Sequence, residues 1–352
     1  MQPISLMTSP PGVSFALAAA LLFGASTPFA KVLLGTVDPV LLAGLLYLGS
    51  GGGLALCWWL RFRLQRADYQ EASLKLPDLP WLAGAIFTGG VLGPILLMVG
   101  LALTPASSAS LLLNLEVVFT TTLAWFVCKE HFDRRIALGM VAITAGSFLL
   151  SWAGRPEVEV PWGAVAILGA CLAWGIDNNL TRRVAAGDPL QIAGVKGCIA
   201  GAVNLTLAWV AGAHLPGFST VAMVAVVGFL GYGVSLTLFV AALRHLGTAR
   251  TGAYFSLAPF IGATLSLLVL GESLTVSFLV AAALMGIGVW LYLTEQHEHQ
   301  HEHELLEHDH RHVHDAHHLH GHSEEPHSHP HVHQSVRHIH PHYPDIHHRH
   351  GH

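Results

Sequence analysis

The sequence predicts an all-α integral membrane protein. It comprises ten transmembrane helices arranged as two inverted five-helix repeats, followed by a disordered, His-rich C-terminal tail. Three observations predict this. Ten apolar stretches of membrane-spanning length fill residues 13–294. The two halves of that region match each other. The remaining residues, 295–352, hold 23 of the chain's 26 histidines.

A helix rising about 1.5 Å per residue needs about 20 apolar residues to cross roughly 30 Å of hydrocarbon. Stretches of that kind fall at about 14–35, 38–60, 80–102, 106–128, 134–153, 161–184, 188–212, 219–243, 249–270 and 274–294. Mean hydropathy is +0.52 and only 11% of residues are charged, against about 25% in soluble domains. The N-terminus, MQPISLMTSPPG, has no basic stretch, so the first span is expected to stay rather than be cleaved as a signal peptide. The four cysteines, Cys57, Cys128, Cys171 and Cys198, lie in apolar stretches without CxxC spacing. They indicate neither a disulfide framework nor a zinc knuckle.

Basic residues near span ends favour the cytoplasmic side. With the N-terminus inside, Arg61, Arg63, Arg66, Lys75, Lys129, Arg134, Arg135, Arg182, Arg183, Arg244 and Arg250 fall in cytoplasmic loops, and only Arg155 falls outside. An even number of spans then puts both termini in the cytoplasm. The setting this predicts is a bacterial plasma (inner) membrane.

The repeat supplies the domain plan: 13–153, 161–294 and the tail, 295–352. At an offset of 151, Gly12, Leu17, Ala19, Leu21 and Gly24 recur as Gly163, Leu168, Ala170, Leu172 and Gly175. At 150, Asp38-Pro39, Ala43-Gly44, Gly51 and Trp59 recur as Asp188-Pro189, Ala193-Gly194, Gly201 and Trp209. At 142, Thr122-Leu123 and Glu130 recur as Thr264-Leu265 and Glu272. Five spans per half is odd, so the second copy enters the membrane upside down. Inverted repeats of this kind are typical of secondary transporters, with the solute site near the midplane.

The same features resemble the EamA branch of the drug/metabolite transporter superfamily. The resemblance rests on the five-plus-five plan, on the block from Ala106-Ser107-Ser108-Ala109 to Glu130, and on the block from Thr248-Ala249-Arg250-Thr251-Gly252 to Glu272. It covers about residues 13–294. It implies ten helices around a central cavity and movement of small organic solutes, often outward, working by alternating access. The family does not fix the substrate, and the histidine tail departs from its common pattern.

Ionisable groups deep in a span are costly and usually face a cavity or a partner. The candidates are Lys31, Glu116, Asp177 and Lys196, which could pair as two acids with two bases. Asp177, Asn178 and Asn179 form a polar run, either a cavity wall that binds a proton or cation or a cluster bonding neighbouring helices. Glu116, beside Asn114, either couples transport to protons, since burial disfavours a charged carboxylate, or is a fixed partner of a lysine. Lys196 lies between Gly194 and Gly197, where a neighbouring helix can approach, and either pairs with Asp177 or Glu116, meets an anionic solute, or snorkels to the cytoplasmic interface. Lys31 near a span end either snorkels or binds; its repeat counterpart is Arg182. The expected pathway residues are therefore Asn114, Glu116, Asp177, Asn178, Asn179, Lys196 and Lys31. Pro28, Pro94 and Pro259 fall inside spans, where they kink a helix and free carbonyls. Gly49/Gly53 and Gly197/Gly201 have the GxxxG spacing of close helix packing. Tyr232 and Tyr254 either contact solute or pack.

In the tail, histidines alternate: His297, His299, His301 and His303; His308, His310, His312 and His314; His327, His329, His331 and His333. With few apolar residues and a net charge of −7, against +2 for residues 1–294, such a segment is expected to be disordered alone. Neutral imidazoles suit Zn, Ni, Co or Cu, so these histidines are expected to bind divalent metal ions. The stretch HEHELLEH does not complete a metalloprotease motif, because position 307 is Glu. No nucleotide loop or catalytic set is present, so the chain is read as no enzyme, with no cofactor required and no nucleic-acid partner. Its expected partners are the lipid bilayer, a small-molecule solute and metal ions on the tail. Two alternatives stand beside the organic solute: transport of a divalent metal collected by the tail, and a membrane-anchored metal-binding or sensing protein that transports nothing.

Overall fold

The structure, a computed structural model, describes residues 11–64, 74–128, 134–152 and 161–294, and the backbone of four tail segments. Ten helices among the described residues are long and apolar enough to cross a membrane. They are α1 (Gly12–Leu33), α2 (Pro39–Arg61), α3 (Leu76–Leu103), α4 (Ala106–Val127), α5 (Arg134–Trp152), α6 (Trp162–Val184), α7 (Pro189–Val210), α8 (Phe218–Gly247), α9 (Arg250–Leu270) and α10 (Val276–Leu293). The sequence places each of them to within a few residues. Large apolar side chains also cover the outside, among them Phe126 (68% exposed), Leu268 (75%) and Trp209 (81%). A helix apolar on its outward face as well suits lipid rather than water. Ten such helices make this a multi-pass membrane protein.

The packing partners exchange between the halves. α2 lies on α7 and α5 on α10, while α3 packs on α6 as α8 packs on α1, and α4 on α6 as α9 on α1. This is the pattern that a two-fold relation between the halves produces. The α2–α7 seam is made by glycine. A Cβ on Gly197 would stand 2.6 Å from the backbone N of Gly51, and one on Gly201 would stand 2.6 Å from that of Leu48. Backbones this close leave no room for a side chain. Local caps repeat too. Asp38 Oδ1 accepts from the Val40 and Leu41 amides at 2.9 and 3.3 Å, and Asp188 Oδ1 accepts from the Leu190 amide at 2.9 Å. Each satisfies amides that the first helical turn leaves free.

Four spans are irregular, in two pairs. α3 and α8 each contain seven π-helical residues, Ile86–Leu92 and Gly228–Val234, at the 142-residue offset. The Gly93 amide bonds back to the Thr88 carbonyl and that of Ser235 to Leu230, five residues earlier. Gly89, Gly90 and Gly93 in one segment, and Gly228, Gly231 and Gly233 in the other, let neighbours press close. The wider turn changes which carbonyls are free for outside donors. α4 is interrupted by a turn at Leu113–Asn114 and α9 by one at Ser256–Leu257, just before Pro259. Pro94 likewise sits where the π segment of α3 ends.

In the tail, Glu298–Glu302 pairs antiparallel with Arg337–Pro341, and Leu306–His312 with His327–His333. His-x-His alternation has the two-residue period of a strand, which composition alone does not register. The rest of the tail lies outside the described residues.

Candidate functional site

A partly open cavity lies between the two halves, with about 490 Å³ of empty space including its mouth. Phe23 (α1), Tyr47 (α2) and Glu116 (α4) line it from the first half. Trp174, Asp177 and Asn178 (α6), Tyr232, Ser235 and Phe239 (α8) and Phe255 (α9) line it from the second. A smaller adjoining cavity is bounded by Glu116, Thr120, Asn178, Ser256 and Pro259. The irregular spans converge here. The π segment of α8 supplies Gly231 and Tyr232, and the two helix breaks flank Glu116 and Phe255. Irregular backbone at membrane depth is tolerated where it lines a cavity or is buried in protein.

The aromatic wall is held in place by contacts among its own rings and by one carbonyl. Phe23 meets Trp174 edge-on with centroids 5.8 Å apart, Tyr232 at 5.7 Å and Phe255 at 5.4 Å; Tyr47 lies 5.6 Å from Tyr232, and Phe239 4.9 Å from Phe255. The Tyr47 hydroxyl and the Trp174 indole N–H both donate to the Gly89 carbonyl, at 2.8 and 3.0 Å. Asn204 Nδ2 donates to the next carbonyl, Gly90, at 2.9 Å. The π segment of α3 therefore serves as the acceptor for two rings from different helices.

Of the charges expected in the pathway, Asp177 and Lys196 do pair. Lys196 Nζ lies 2.6 and 2.9 Å from the two carboxylate oxygens and 3.1 Å from Thr181 Oγ1, and the Thr181 hydroxyl donates to Asp177 Oδ1 at 2.8 Å. Lys196 is 1% exposed and Asp177 6%. Each of its groups has a charged or polar partner, as burial requires. Glu116 accepts from Asn178 Nδ2 at 2.9 Å, and the same amide reaches Thr120 Oγ1 at 3.1 Å. No lysine, arginine or histidine is among the described residues lining either cavity.

The other expected residues sit elsewhere. Asn179 Nδ2 donates to the Thr120 and Gly175 carbonyls, tying α6 to α4. Asn114 bonds the Leu111 carbonyl at 3.1 Å at the break in α4 and lies outside both cavity linings. Lys31 Nζ donates to the Leu101, Ala102 and Thr104 carbonyls at 2.5, 3.3 and 2.8 Å, a cation at the negative end of α3. Glu272 completes that corner. Its two oxygens accept from the Ala106 and Ser107 amides at 2.7 and 2.9 Å, at the start of α4. Gly271, with φ +63°, turns the chain out of α9 so that Glu272 reaches across. Tyr254 packs with the cluster around Ala16, Ala242 and Leu246 rather than at the cavity. The metal-binding histidines expected in the tail have no described side chains. Sequence reasoning passed over the aromatic wall, apart from Tyr232, and Ser235. The signal that could have found it is a pair of glycine clusters, 89–93 and 228–233, in which Gly89 and Gly231 stand at the 142-residue offset.

A cavity between two repeated five-helix halves, in a bundle of ten membrane-spanning helices, is the architecture of a membrane carrier. The profile of the EamA-like transporter family matches residues 10–152 and 161–294, and the chain belongs to that family. It is 28% identical over 205 residues to an uncharacterized transporter of Methanothermobacter thermautotrophicus, a match over 55% of this chain and 60% of that protein. The chain thus matches less than two thirds of that relative's length. A solved crystal structure, described only as a protein, has a TM-score of 0.60 and 19% identity, over 79% of this chain and 95% of that one; this likeness concerns the fold.

Proposed function

We propose that the protein is a secondary carrier of a small organic solute, working by alternating access and acting as an exporter. The observation that carries this reading is the cavity itself, built jointly by both halves and edged by the paired irregular spans. Discontinuous helices around a midplane site between inverted repeats are how secondary transporters hold and release cargo. On this reading Glu116, Asp177, Asn178 and Lys196 organise the pathway, while Lys31, Asn114 and Asn179 support the helices around it. The orientation follows the basic residues, with both termini in the cytoplasm of a bacterial inner membrane. The driving force is an ion gradient or the solute's own gradient.

The test needs no knowledge of the solute. In a chain with its four cysteines replaced, Ser235→Cys is treated with a membrane-impermeant thiol reagent from each side in turn. Alternating access predicts labelling from both sides. Labelling from one side only, under every condition, would refute it.

A divalent metal as cargo is disfavoured. Among the described residues no group of three or more His, Cys, Asp or Glu is placed to hold a metal ion. The tail is proposed instead to bind Zn, Ni, Co or Cu through its histidines and to regulate the carrier from the cytoplasm. Cells lacking the protein, complemented by the full chain or by one ending near Glu295, test this. Equal metal content and equal solute tolerance in all of them would remove both the regulatory role and the metal-cargo alternative.

A further inference from the structure

We infer that the solute is an organic amine carried as a cation and lacking a carboxylate of its own; this rests on the carrier reading above. The cavity presents six aromatic side chains, Phe23, Tyr47, Trp174, Tyr232, Phe239 and Phe255. Such rings attract a desolvated cation through their negative faces. Two carboxylates line the same space, and their situations differ. Asp177 is engaged by Lys196 through both oxygens and by Thr181. Among the described residues, Glu116 accepts a side-chain hydrogen bond only from the neutral amide of Asn178. An ammonium group entering the cavity therefore finds one carboxylate still able to form a charge-assisted hydrogen bond, within an aromatic wall.

The same geometry disfavours anions and zwitterions. A solute carboxylate would be desolvated where no lysine, arginine or histidine lines the described cavity, and an unpaired buried charge is costly. Lys196 is not free to help. It is 1% exposed, and turning it toward a solute would strip Asp177 of its cation. An amino acid would satisfy its amine at Glu116 and leave its carboxylate without a cationic partner among the described lining residues. Removing that carboxylate removes the penalty.

Three probes separate these cases: phenethylamine, phenylalanine and phenylacetate, which share a benzyl group and differ in charge. Binding to the purified full-length protein is measured by calorimetry, and movement by counterflow in liposomes. Phenethylamine is expected to bind at least about tenfold tighter than either other probe, a difference of about 1.4 kcal/mol. Glu116→Gln is expected to abolish that preference. Phenylalanine or phenylacetate binding as tightly as phenethylamine, or no binding of phenethylamine, overturns the inference. So does a preference that survives Glu116→Gln unchanged. If that variant does not fold, the three-probe comparison on the unaltered protein decides alone. Counterflow of phenylalanine without phenethylamine would sink the amine and leave the carrier standing. Tight, selective amine binding with no flux of any probe would support the amine site and count against the carrier.

Discussion

Replacing Lys196 by Met tests whether the buried pair at the cavity wall holds α6 and α7 of the second half together. The ammonium sits 2.6 Å from Asp177 Oδ1 with both residues buried. At an effective dielectric of about 20, a separation of that size corresponds to roughly 6 kcal/mol of gross attraction. Removing one partner leaves the other charged and buried, at a typical net cost of about 3–5 kcal/mol. Thr181 still donates to Asp177 Oδ1, which places the expected loss toward the lower end. The readout is the thermal midpoint in detergent, followed by tryptophan fluorescence, and the expected fall is on the order of 10 °C. Asp177→Asn combined with Lys196→Met removes both charges while keeping the shape that Gly89 packs against. The double variant should recover most of the loss, to within about 1–2 kcal/mol of the unaltered protein. If Lys196→Met melts like the unaltered protein, or the double variant is no more stable than the single one, the pairing argument is wrong.

Three further outcomes are expected. Glu272→Ala frees the Ala106 and Ser107 amides and should cost about 1–2 kcal/mol, read as a lower melting midpoint; an unchanged midpoint would mean that water caps α4 equally well. Gly201→Ala brings a Cβ to 2.6 Å from the Leu48 backbone, so α2 and α7 must part, at about 1–3 kcal/mol; monodisperse, unshifted protein would contradict the seam. Gly271→Ala forces a side chain into φ +63° and should cost about 1–2 kcal/mol, with the loss largely shared by Glu272→Ala in a double-variant comparison.

The ten helices were legible because length and apolarity alone specify a span, and the repeat because Asp38-Pro39 and Asp188-Pro189 keep the same capping role. The pairing of Asp177 with Lys196 was among the options that burial of four charges allows, and adjacent Gly194 and Gly197 hinted at it. Which residues the cavity would show was not legible. Asn179 and Asn178 are neighbours in sequence, yet one ties α6 to α4 and the other meets Glu116, because successive helical residues point about 100° apart. Lys31 reads as an intramembrane charge but caps α3, a contact that depends on where a helix seventy residues away ends. Tyr47 and Trp174 drew no reading from the sequence, because their shared acceptor, the Gly89 carbonyl, lies in a π turn that the sequence does not announce.

The π turns in α3 and α8 interrupt two spans at matched positions. Each splits its span into two short rods, Leu79–Ala85 and Gly93–Leu103 in one, Phe218–Val227 and a second beginning at Ser235 in the other. The joints lie at the level of the aromatic wall, and Tyr232 belongs to one of them. On that geometry, a tilt imposed on either end would be taken up beside the cavity rather than carried through to the opposite face. On the carrier reading proposed above, cavity and joint share one level, so a solute filling the cavity would stiffen or loosen the joint.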